Sequence, residues 1–366
     1  MKWRALVLFL AAAIFTLGFG AAVPEQSLRE AARGSGMLIG TAVRPAQLSE
    51  ADYASTLARE FNMLEPEDAL KWEVVHPEPQ SFDFSQADQI VDFATRHNMK
   101  VRGHTLVWHR QNPKWLTEGN YPSSELAEIL EKHIRTVVGH YRGKVFAWDV
   151  VNEAFDELHP GTLRGTIWRD QPGIGLAGNG SSYIERCFRW AHEADPQALL
   201  FYNEAEAEVV NSKSDAIYAM VRDFRQRGVP IDGVGFQMHI ANLRADVASI
   251  SANLKRFTAL GVQVHITEMD VALPVDASGN PRAEDLQRQA EIYRGIASAC
   301  VSQPGCTAIQ TWGFTDEYSW IGSHSKKTQG AALLFDRDYR AKPAYEALRN
   351  ALESGRPYNV TNPWPR

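Results

Sequence analysis

The chain has 366 residues, of which 44% are hydrophobic and 22% are charged, a composition that excludes a disordered protein. Its formal net charge is -6 without a long run of one sign, so nucleic acid is not expected as a partner. A chain of this length fits either two mid-sized domains or one large α/β barrel.

The first residues have the pattern of a secretory signal. Lys2 and Arg4 precede an apolar run over residues 5–19, and small residues follow at 20–22. The run is shorter than the roughly 20 residues of a membrane-spanning helix, which favours a signal over an uncleaved anchor or a buried helix. We therefore predict a signal peptide over residues 1–22 and a secreted protein, extracellular or periplasmic. After cleavage we expect no membrane attachment and a monomer.

Beyond this leader, short apolar runs alternate with longer segments of helical spacing. The predicted strands are residues 37–43, 61–64, 100–108, 145–151, 199–202, 233–238, 262–267 and 307–312. The main predicted helices are residues 124–140, 181–194, 212–227, 247–260 and 283–299. Such alternation indicates βα units and a parallel sheet buried on both faces.

Eight such units predict a single-domain α/β protein, a (β/α)8 TIM barrel over residues 23–352. An open doubly wound sheet fits less well, because no glycine-rich phosphate turn follows the first predicted strand. Residues 353–366 hold three prolines and a glycine, and we predict a C-terminal extension on the surface.

The chain has three cysteines. Cys300 and Cys306 flank a predicted turn at residues 303–305, and an exported protein meets oxidising conditions. We predict a Cys300–Cys306 disulfide and a buried free thiol at Cys187. Three unpaired thiols are the alternative.

Polar side chains stand at or just after the ends of seven predicted strands, where the site of such a barrel is built. They are Glu67, Asp68 and Lys71; His104, Trp108 and His109; Asn152 and Glu153; Asn203 and Glu204; Gln237 and His239; Glu268 and Asp270; Trp312 and Asp316. Carboxylates, amides and lysine bind hydroxyl groups, and indole rings stack on the apolar faces of sugars. The set favours a neutral, polyhydroxylated substrate.

Glu153 and Glu268 are the best candidates for a catalytic pair. Cleavage of a glycosidic bond needs two carboxyl groups that flank it, and a carboxylate at the end of an apolar strand is costly without a role or a partner. The alternative for each is a solvated loop glutamate.

Segments around both glutamates resemble motifs of glycoside hydrolase family 10, the retaining endo-β-1,4-xylanases. The similar segments are WDVVNEA at 148–154, VHITEMD at 264–270, EDALKW at 67–72, RGHTLVWH at 102–109, QMH at 237–239, LFD at 334–336 and KPAY at 342–345. The resemblance runs from about Leu28 to Leu348 and agrees with the predicted barrel. It implies xylan as the partner and a reaction that needs no cofactor and no metal.

The resemblance also implies residue roles. Glu153 would be the acid/base with a raised pKa, and Glu268 the ionised nucleophile about 5–5.5 Å away. Asn152 would bind the 2-hydroxyl of the sugar before the cut, and Gln237 would lie near Glu153. His239 would orient Glu268, with Asp270 behind it. The residues implied to hold the two glycone sugars are Glu67, Asp68, Lys71, His104 and Trp108, with Trp312 and Trp320 closing over them.

Three positions depart from the family pattern. Asp68 stands where asparagine is usual, and an ionised carboxylate cannot donate a hydrogen bond, so we expect a changed affinity for the glycone. Ala205 stands where an aromatic residue is often found, which predicts weaker binding on the leaving-group side. Arg110 replaces a small residue after the Trp-His pair.

Three other functions fit parts of the pattern. His104, His109 and His239 could bind a metal ion together with a carboxylate, although no helix carries two histidines at ligand spacing. A barrel can also serve as a sugar-binding or structural wall protein without catalysis. A catalytic site of this kind could instead cleave another β-1,4-glycan, such as cellulose or mixed-linkage glucan.

Overall fold

A closed barrel of eight parallel strands forms the centre of the computed structural model, which describes residues 26–170, 172–176 and 178–355. The strands are β1 (Leu38–Val43), β2 (Met63–Pro66), β3 (Lys100–Gly103), β4 (Ala147–Asn152), β5 (Leu199–Glu204), β6 (Gly233–Phe236), β7 (His239–Ile240), β8 (Gln263–Val271), β9 (Leu273–Pro274), β10 (Cys306–Thr311) and β11 (Gln329–Gly330). The barrel order is β1-β2-β3-β4-β5-β6-β8-β10, and β10 pairs with β1 to close it. The two-residue β7 extends the β6 side of β8, and β9 and β11 form a separate pair.

Helices surround the barrel and connect its strands. They are α1 (Leu28–Ser35), α2 (Ala51–Glu60), α3 (Trp72–Val75), α4 (Ser85–Arg96), α5 (Lys114–Thr117), α6 (Ser123–His140), α7 (Ser182–Ala194), α8 (Ser212–Gln226), α9 (Val247–Thr258), α10 (Ala283–Val301), α11 (Ile321–His324) and α12 (Pro343–Glu353). No helix in the described residues combines the length and the apolar character needed to cross a membrane. The first and last helices, α1 and α12, pack against each other.

Local sequence explains where several of these elements begin. Ser27 and Glu30 form a capping box at the start of α1, and Asn211 with Ser214 does the same at α8. Every residue of β4, β5 and β8 is buried, as expected for strands covered by helices on one face and by the barrel interior on the other.

The structure confirms the predicted single-domain (β/α)8 barrel and corrects one of its strands. The third strand was predicted over residues 100–108 but ends at Gly103. Beyond it the chain turns towards β4, because the Leu106 amide and the Thr105 hydroxyl both donate to the Asp149 carbonyl. Leu106 and Val107 of this segment pack in the core beside β4, while His104, Trp108 and His109 contact other predicted site residues.

The remaining domain predictions fall at the ends of the chain. The predicted signal peptide, residues 1–22, lies outside the described residues, as do residues 356–366 of the predicted extension. The last helix ends at Glu353, the first residue of that extension. The predicted Cys300–Cys306 disulfide is present, and Cys187 is buried and free.

Gly103 allows β3 to approach β4 closely enough to form the wall below the site. A Cβ atom on Gly103 would lie 2.2 Å from the ring of Trp148, which is fully buried. Gly139 in α6 differs, because a Cβ there would meet nothing within 4 Å.

We expect Gly103→Ala to lower the free energy of unfolding by about 3 kcal/mol, because the indole ring cannot move aside in a packed core. Gly139→Ala is the matched control and should leave stability unchanged or raise it by up to about 1 kcal/mol. Urea unfolding at neutral pH measures both. Equal stabilities for the two variants would contradict the close approach of the two strands.

Candidate active site

The predicted site residues lie together at the carboxyl ends of the barrel strands and in the loops that follow them. Each contacts at least one other member of the set directly or through a single intervening residue. They are Glu67, Asp68, Lys71, His104, Trp108, Asn152, Glu153, Gln237, His239, Glu268, Asp270, Trp312 and Trp320. The fold therefore brings these side chains together at one end of the barrel, while their roles stay predictions.

Glu153 directly follows β4 and has a left-handed backbone conformation, with φ of 51°. Its carboxylate accepts hydrogen bonds from Trp108 Nε1 at 2.8 Å and from Gln237 Nε2 at 2.9 Å. Burial alone would raise the pKa of this carboxyl, but the bonds from Gln237 and Trp108 favour the charged form and bring the pKa below its usual range. The prediction of a raised pKa for Glu153 is therefore wrong for the unliganded protein.

Glu268 lies within β8 with only 4% of its surface exposed. Asn203 Nδ2 donates to its Oε1 at 2.8 Å, and His239 Nε2 lies 3.1 Å from its Oε2. Both carboxylate oxygens are thus held by neighbouring strands, and the side chain has one fixed orientation.

Neutral amides connect the two glutamates. Asn203 Nδ2, which holds Glu268, also donates to Asn152 Oδ1 at 3.0 Å. Gln237 Nε2, which holds Glu153, lies 3.4 Å from the same Asn152 oxygen. The carboxylates are therefore fixed relative to each other through three amide side chains, while their predicted separation stays a prediction.

His239 lies between two carboxylates. Its Nδ1 is 3.0 Å from Asp270 Oδ2 and its Nε2 is 3.1 Å from Glu268 Oε2. Trp320 Nε1 donates to the same Asp270 oxygen at 2.8 Å. Burial would lower the pKa of His239, but Asp270 and Glu268 outweigh it and raise the pKa well above its usual value. The ring is thus an imidazolium that donates to both acids.

Lys71 and the indoles form the adjoining part of the mouth. Lys71 Nζ lies 4.9 Å from the ring centroid of Trp108 and 5.6 Å from that of Trp312. The Trp312 ring makes edge contacts with His104, at 5.4 Å between centroids, and with His239, at 6.4 Å. A cation surrounded by aromatic faces suits a ligand that has both hydroxyl groups and apolar ring faces.

Arg44, which sequence reasoning missed, organises the acids beside Lys71. Its Nη2 lies 2.5 Å from Glu67 Oε1 and its Nε lies 3.2 Å from Asp68 Oδ2. Burial opposes ionisation of Asp68, but Lys71 and Arg44 together lower its pKa. Asp68 therefore stays ionised and can only accept hydrogen bonds, as expected from the replacement of the usual asparagine. Burial raises the pKa of Glu67, and the charge of Arg44 opposes that rise.

A buried charged group lies directly below His104 and was also missed. Arg102, which is fully buried, forms an ion pair with Asp149 and donates to His265 Nδ1 at 2.8 Å. His104 Nδ1 lies 3.0 Å from Asp149 Oδ2 and 3.3 Å from Glu65 Oε1. Burial and the nearby Asp149 raise the pKa of Glu65 well above its usual value. The signal in the sequence was Asp149, an acid in the middle of the apolar run 145–151, because a buried acid needs a partner such as Arg102.

The histidines of the metal alternative do not share a ligand set. Within the described residues, the group with metal-ligand spacing is Glu65, His104 and Asp149, and there Arg102 supplies the positive charge. His239 contacts Asp270 and Glu268 instead. His109 Nδ1 lies 3.9 Å from Glu153 Oε2, in a different part of the mouth.

Glu204 does not face the mouth, which corrects its place among the predicted mouth residues. Side chains alternate along a strand, and on β5 it is Asn203 that faces inward to Asn152 and Glu268. Glu204 faces outward, where Lys213 Nζ lies 2.9 Å from its Oε1. Burial raises the pKa of Glu204 to about 7, and Lys213 limits the rise.

Comparisons with known proteins cover nearly the whole described chain. A family model described as Glycosyl hydrolase family 10 matches residues 27–351. Endo-1,4-beta-xylanase B of Thermotoga neapolitana is 46% identical over 301 residues, 82% of this chain and 83% of that protein. Beta-1,4-xylanase of Dictyoglomus thermophilum is 39% identical over 357 residues, 94% of this chain and 97% of that protein.

Solved structures are similar to the same extent. Xylanase 10B from Thermotoga petrophila RKU-1, solved in complex with xylobiose, is 44% identical with a TM-score of 0.83. The alignment covers 89% of this chain and 97% of that one. The barrel and its sequence motifs thus recur together in known proteins.

We expect His239 to keep its proton at pH 7 and to titrate well above 6.5, because Asp270 and Glu268 favour the imidazolium. A raised pKa stabilises the fold while the ring is protonated, and that stabilisation is lost as the pH rises through the folded-state pKa. Histidine ¹⁵N chemical shifts measured from pH 5 to 10 report the protonation state directly. Asp270→Asn should move the titration to lower pH.

His265 is the internal control for this titration. Burial and the charge of Arg102 lower its pKa well below the usual value, so its ring should be neutral at pH 7. A neutral His239 at pH 7 would contradict the proposed orientation of Glu268 by an imidazolium.

Proposed function

The chain belongs to glycosyl hydrolase family 10, and on this premise we propose that it is a retaining endo-β-1,4-xylanase that cuts internal bonds of xylan. The observation that carries the proposal is the pair of buried carboxylates, Glu153 and Glu268, joined by amides and held in different ways. Glu268 has a charged partner in His239, whereas Glu153 accepts its closest hydrogen bonds from neutral donors.

In the first step, a Glu268 oxygen attacks the anomeric carbon while Glu153 gives its proton to the departing glycosidic oxygen. The products are a glycosyl ester on Glu268 and a shortened chain with a free hydroxyl. The bonds from Asn203 and His239 support this role, because they fix the orientation of the attacking carboxylate.

In the second step, Glu153 takes a proton from water, and the resulting hydroxide attacks the anomeric carbon and releases Glu268. Loss of the Glu268 charge in the ester lowers the pKa of Glu153, since a nearby like charge favours the protonated form. The lowered pKa in the unliganded protein keeps Glu153 ionised, as the base of this step must be. In the first step, the substrate must favour the protonated form by excluding water from the carboxyl.

Xylan is the proposed substrate on two grounds. The relatives quoted above are named xylanases, and one solved structure of similar fold holds xylobiose. In addition, Trp312 and Trp320 both make edge contacts with His239, the ring that lies against Glu268, which supports their proposed place around the glycone. Indoles in this position would crowd the hydroxymethyl group that glucose carries and xylose lacks.

Export by residues 1–22 stays a prediction from the sequence. The intact mass of protein recovered from the culture medium measures it, and a mass that includes residues 1–22 would contradict cleavage.

We expect the mature protein to release short xylo-oligosaccharides from xylan and to act weakly or not at all on carboxymethyl cellulose. Glu153→Ala and Glu268→Ala should each lower the rate on xylan by a factor of about 10³ or more, since both proton transfer and covalent attack depend on them. Reducing-end release and product sizing measure the activity.

The exposed Glu125 of α6 offers a control, and Glu125→Ala should retain full activity. Cleavage of carboxymethyl cellulose alone would keep the chemistry and change the substrate. A folded wild-type protein without activity on either polymer would favour the sugar-binding function.

We also expect net retention of configuration, because two successive displacements invert the anomeric carbon twice. Proton NMR during hydrolysis of xylotetraose should show the β-anomer of the product first, followed by mutarotation. The α-anomer appearing first would contradict the covalent intermediate and favour carboxyl groups about 6.5–9.5 Å apart.

A further inference from the structure

The backbone turn that carries Glu153 is held by the neighbouring strand β5. The N–H groups of residues 153, 154 and 155 donate in turn to the Asn203 carbonyl at 3.0 Å, the Tyr202 hydroxyl at 3.1 Å and the Glu204 carboxylate at 3.2 Å. Three consecutive amides are thus satisfied by three consecutive residues. Two of these acceptors are side chains, which can be changed by mutation without altering the backbone.

The carbonyl side of the same turn has its own partner. Arg164 donates from Nε to the Glu153 carbonyl at 3.3 Å and from Nη2 to the Phe155 carbonyl at 3.2 Å. The turn is therefore fixed from both sides.

The two side-chain acceptors are themselves joined and anchored. Tyr202 donates its hydroxyl hydrogen to Glu204, and both residues are fully buried. Lys213, from α8, lies 2.9 Å from the other Glu204 oxygen and donates to the Ala205 carbonyl at 2.9 Å. These residues face the helix layer and cannot touch a substrate at the mouth.

The conformation of Glu153 explains why such a support is needed. A positive φ is unfavourable for a residue with a side chain and persists only where the surroundings enforce it. Because the Glu153 carboxylate is aimed by this turn, a relaxed φ would move it away from Trp108 and Gln237. An error of about 1 Å in the position of a catalytic group can cost a factor of about 10² in rate.

We propose that Tyr202, Glu204 and Lys213 form a positioning clamp that aims Glu153 for proton transfer and has no part in sugar binding. The proposal rests on the proposed function, in which Glu153 is the acid/base. It makes Tyr202 and Glu204 positioning residues that act only through the two proton transfers of Glu153, the first of which protonates the leaving group.

Leaving-group dependence isolates that step. Xylotriose has a sugar as its leaving group, which must be protonated as the bond breaks. The leaving group of 2,4-dinitrophenyl β-xylobioside is a stable anion that needs no proton. A misaligned Glu153 should therefore lower kcat/KM for xylotriose and leave kcat/KM for the dinitrophenyl substrate nearly unchanged.

Tyr202→Phe removes the acceptor of the residue 154 amide and the hydrogen bond to Glu204 with the least change of shape. We expect kcat/KM for xylotriose to fall about tenfold or more, and that for the dinitrophenyl substrate to fall less than about twofold. Glu153→Ala, which removes the acid altogether, sets the largest difference expected between the two substrates. An equal fall on both substrates, or no fall on either, would overturn the clamp.

Tyr141→Phe is the matched control. Tyr141 is also fully buried and donates to a carboxylate, Asp88 Oδ1 at 3.0 Å, but it lies between α4 and α6, away from Glu153. Its variant loses a buried hydroxyl as Tyr202→Phe does and should keep the wild-type ratio of the two rates. A shifted ratio in Tyr141→Phe would show that the readout reports general loosening and would overturn the assignment.

If Tyr202→Phe does not fold, Glu204→Gln tests the clamp instead. The amide nitrogen that replaces one carboxylate oxygen would face either Lys213 or the residue 155 amide, donor against donor. The same selective loss on xylotriose is expected, and an unselective loss would overturn the proposal. Failure of the proposed function itself would be seen separately, in a wild-type protein that hydrolyses neither substrate.

Discussion

The acids in and around the mouth of this barrel are wholly or partly removed from water, and a charge in such a place needs a partner. Asp149 is paired with Arg102, and Glu204 with Lys213. Asp68 lies between Arg44 and Lys71. Glu268 is bonded to the imidazolium of His239, which Asp270 helps to keep protonated. Charged partners thus hold these acids, whereas Glu65, whose pKa is raised well above its usual value by burial and Asp149, accepts a hydrogen bond from the neutral Gln310.

Glu153 differs in the nature of its compensation. Its hydrogen bonds come from the neutral groups of Trp108 and Gln237, and the nearest ionisable ring, His109, lies 3.9 Å away with its pKa lowered to about 4 by burial and Arg164. A carboxylate held by neutral donors can gain a proton without leaving a buried cation unpaired, whereas protonation of Glu268 would leave His239 with an excess charge. The two glutamates therefore differ in their partners: Glu153 is held by neutral donors, and Glu268 by an amide and a charged ring.

The sequence predicted the barrel because strand and helix periods alternate strongly, and it predicted the site because polar residues end apolar strands. It could not supply partners that only the fold brings together, such as Arg102 with Asp149. The lowered pKa of Glu153 was missed because its donors come from other strands and loops. Glu204 was misplaced because side chains alternate along a strand: only one of the adjacent residues Asn203 and Glu204 can face the mouth, and the sequence does not say which. The clamp on Glu153 lies on the outward face of β5, where the sequence pattern predicted no functional residue.

Arg44 shows how a departure from the family pattern can be absorbed locally. An acid at position 68 beside Glu67 would leave two carboxylates with Lys71 as the only cation, but Arg44 contacts both acids and restores neutrality. At this place Asp68 can only accept hydrogen bonds, while the half-exposed guanidinium of Arg44 supplies donors beside it. A ligand in this part of the mouth therefore meets two acids and two cations whose formal charges cancel. Any altered preference for the glycone should therefore follow the pattern of its hydroxyl groups rather than its charge.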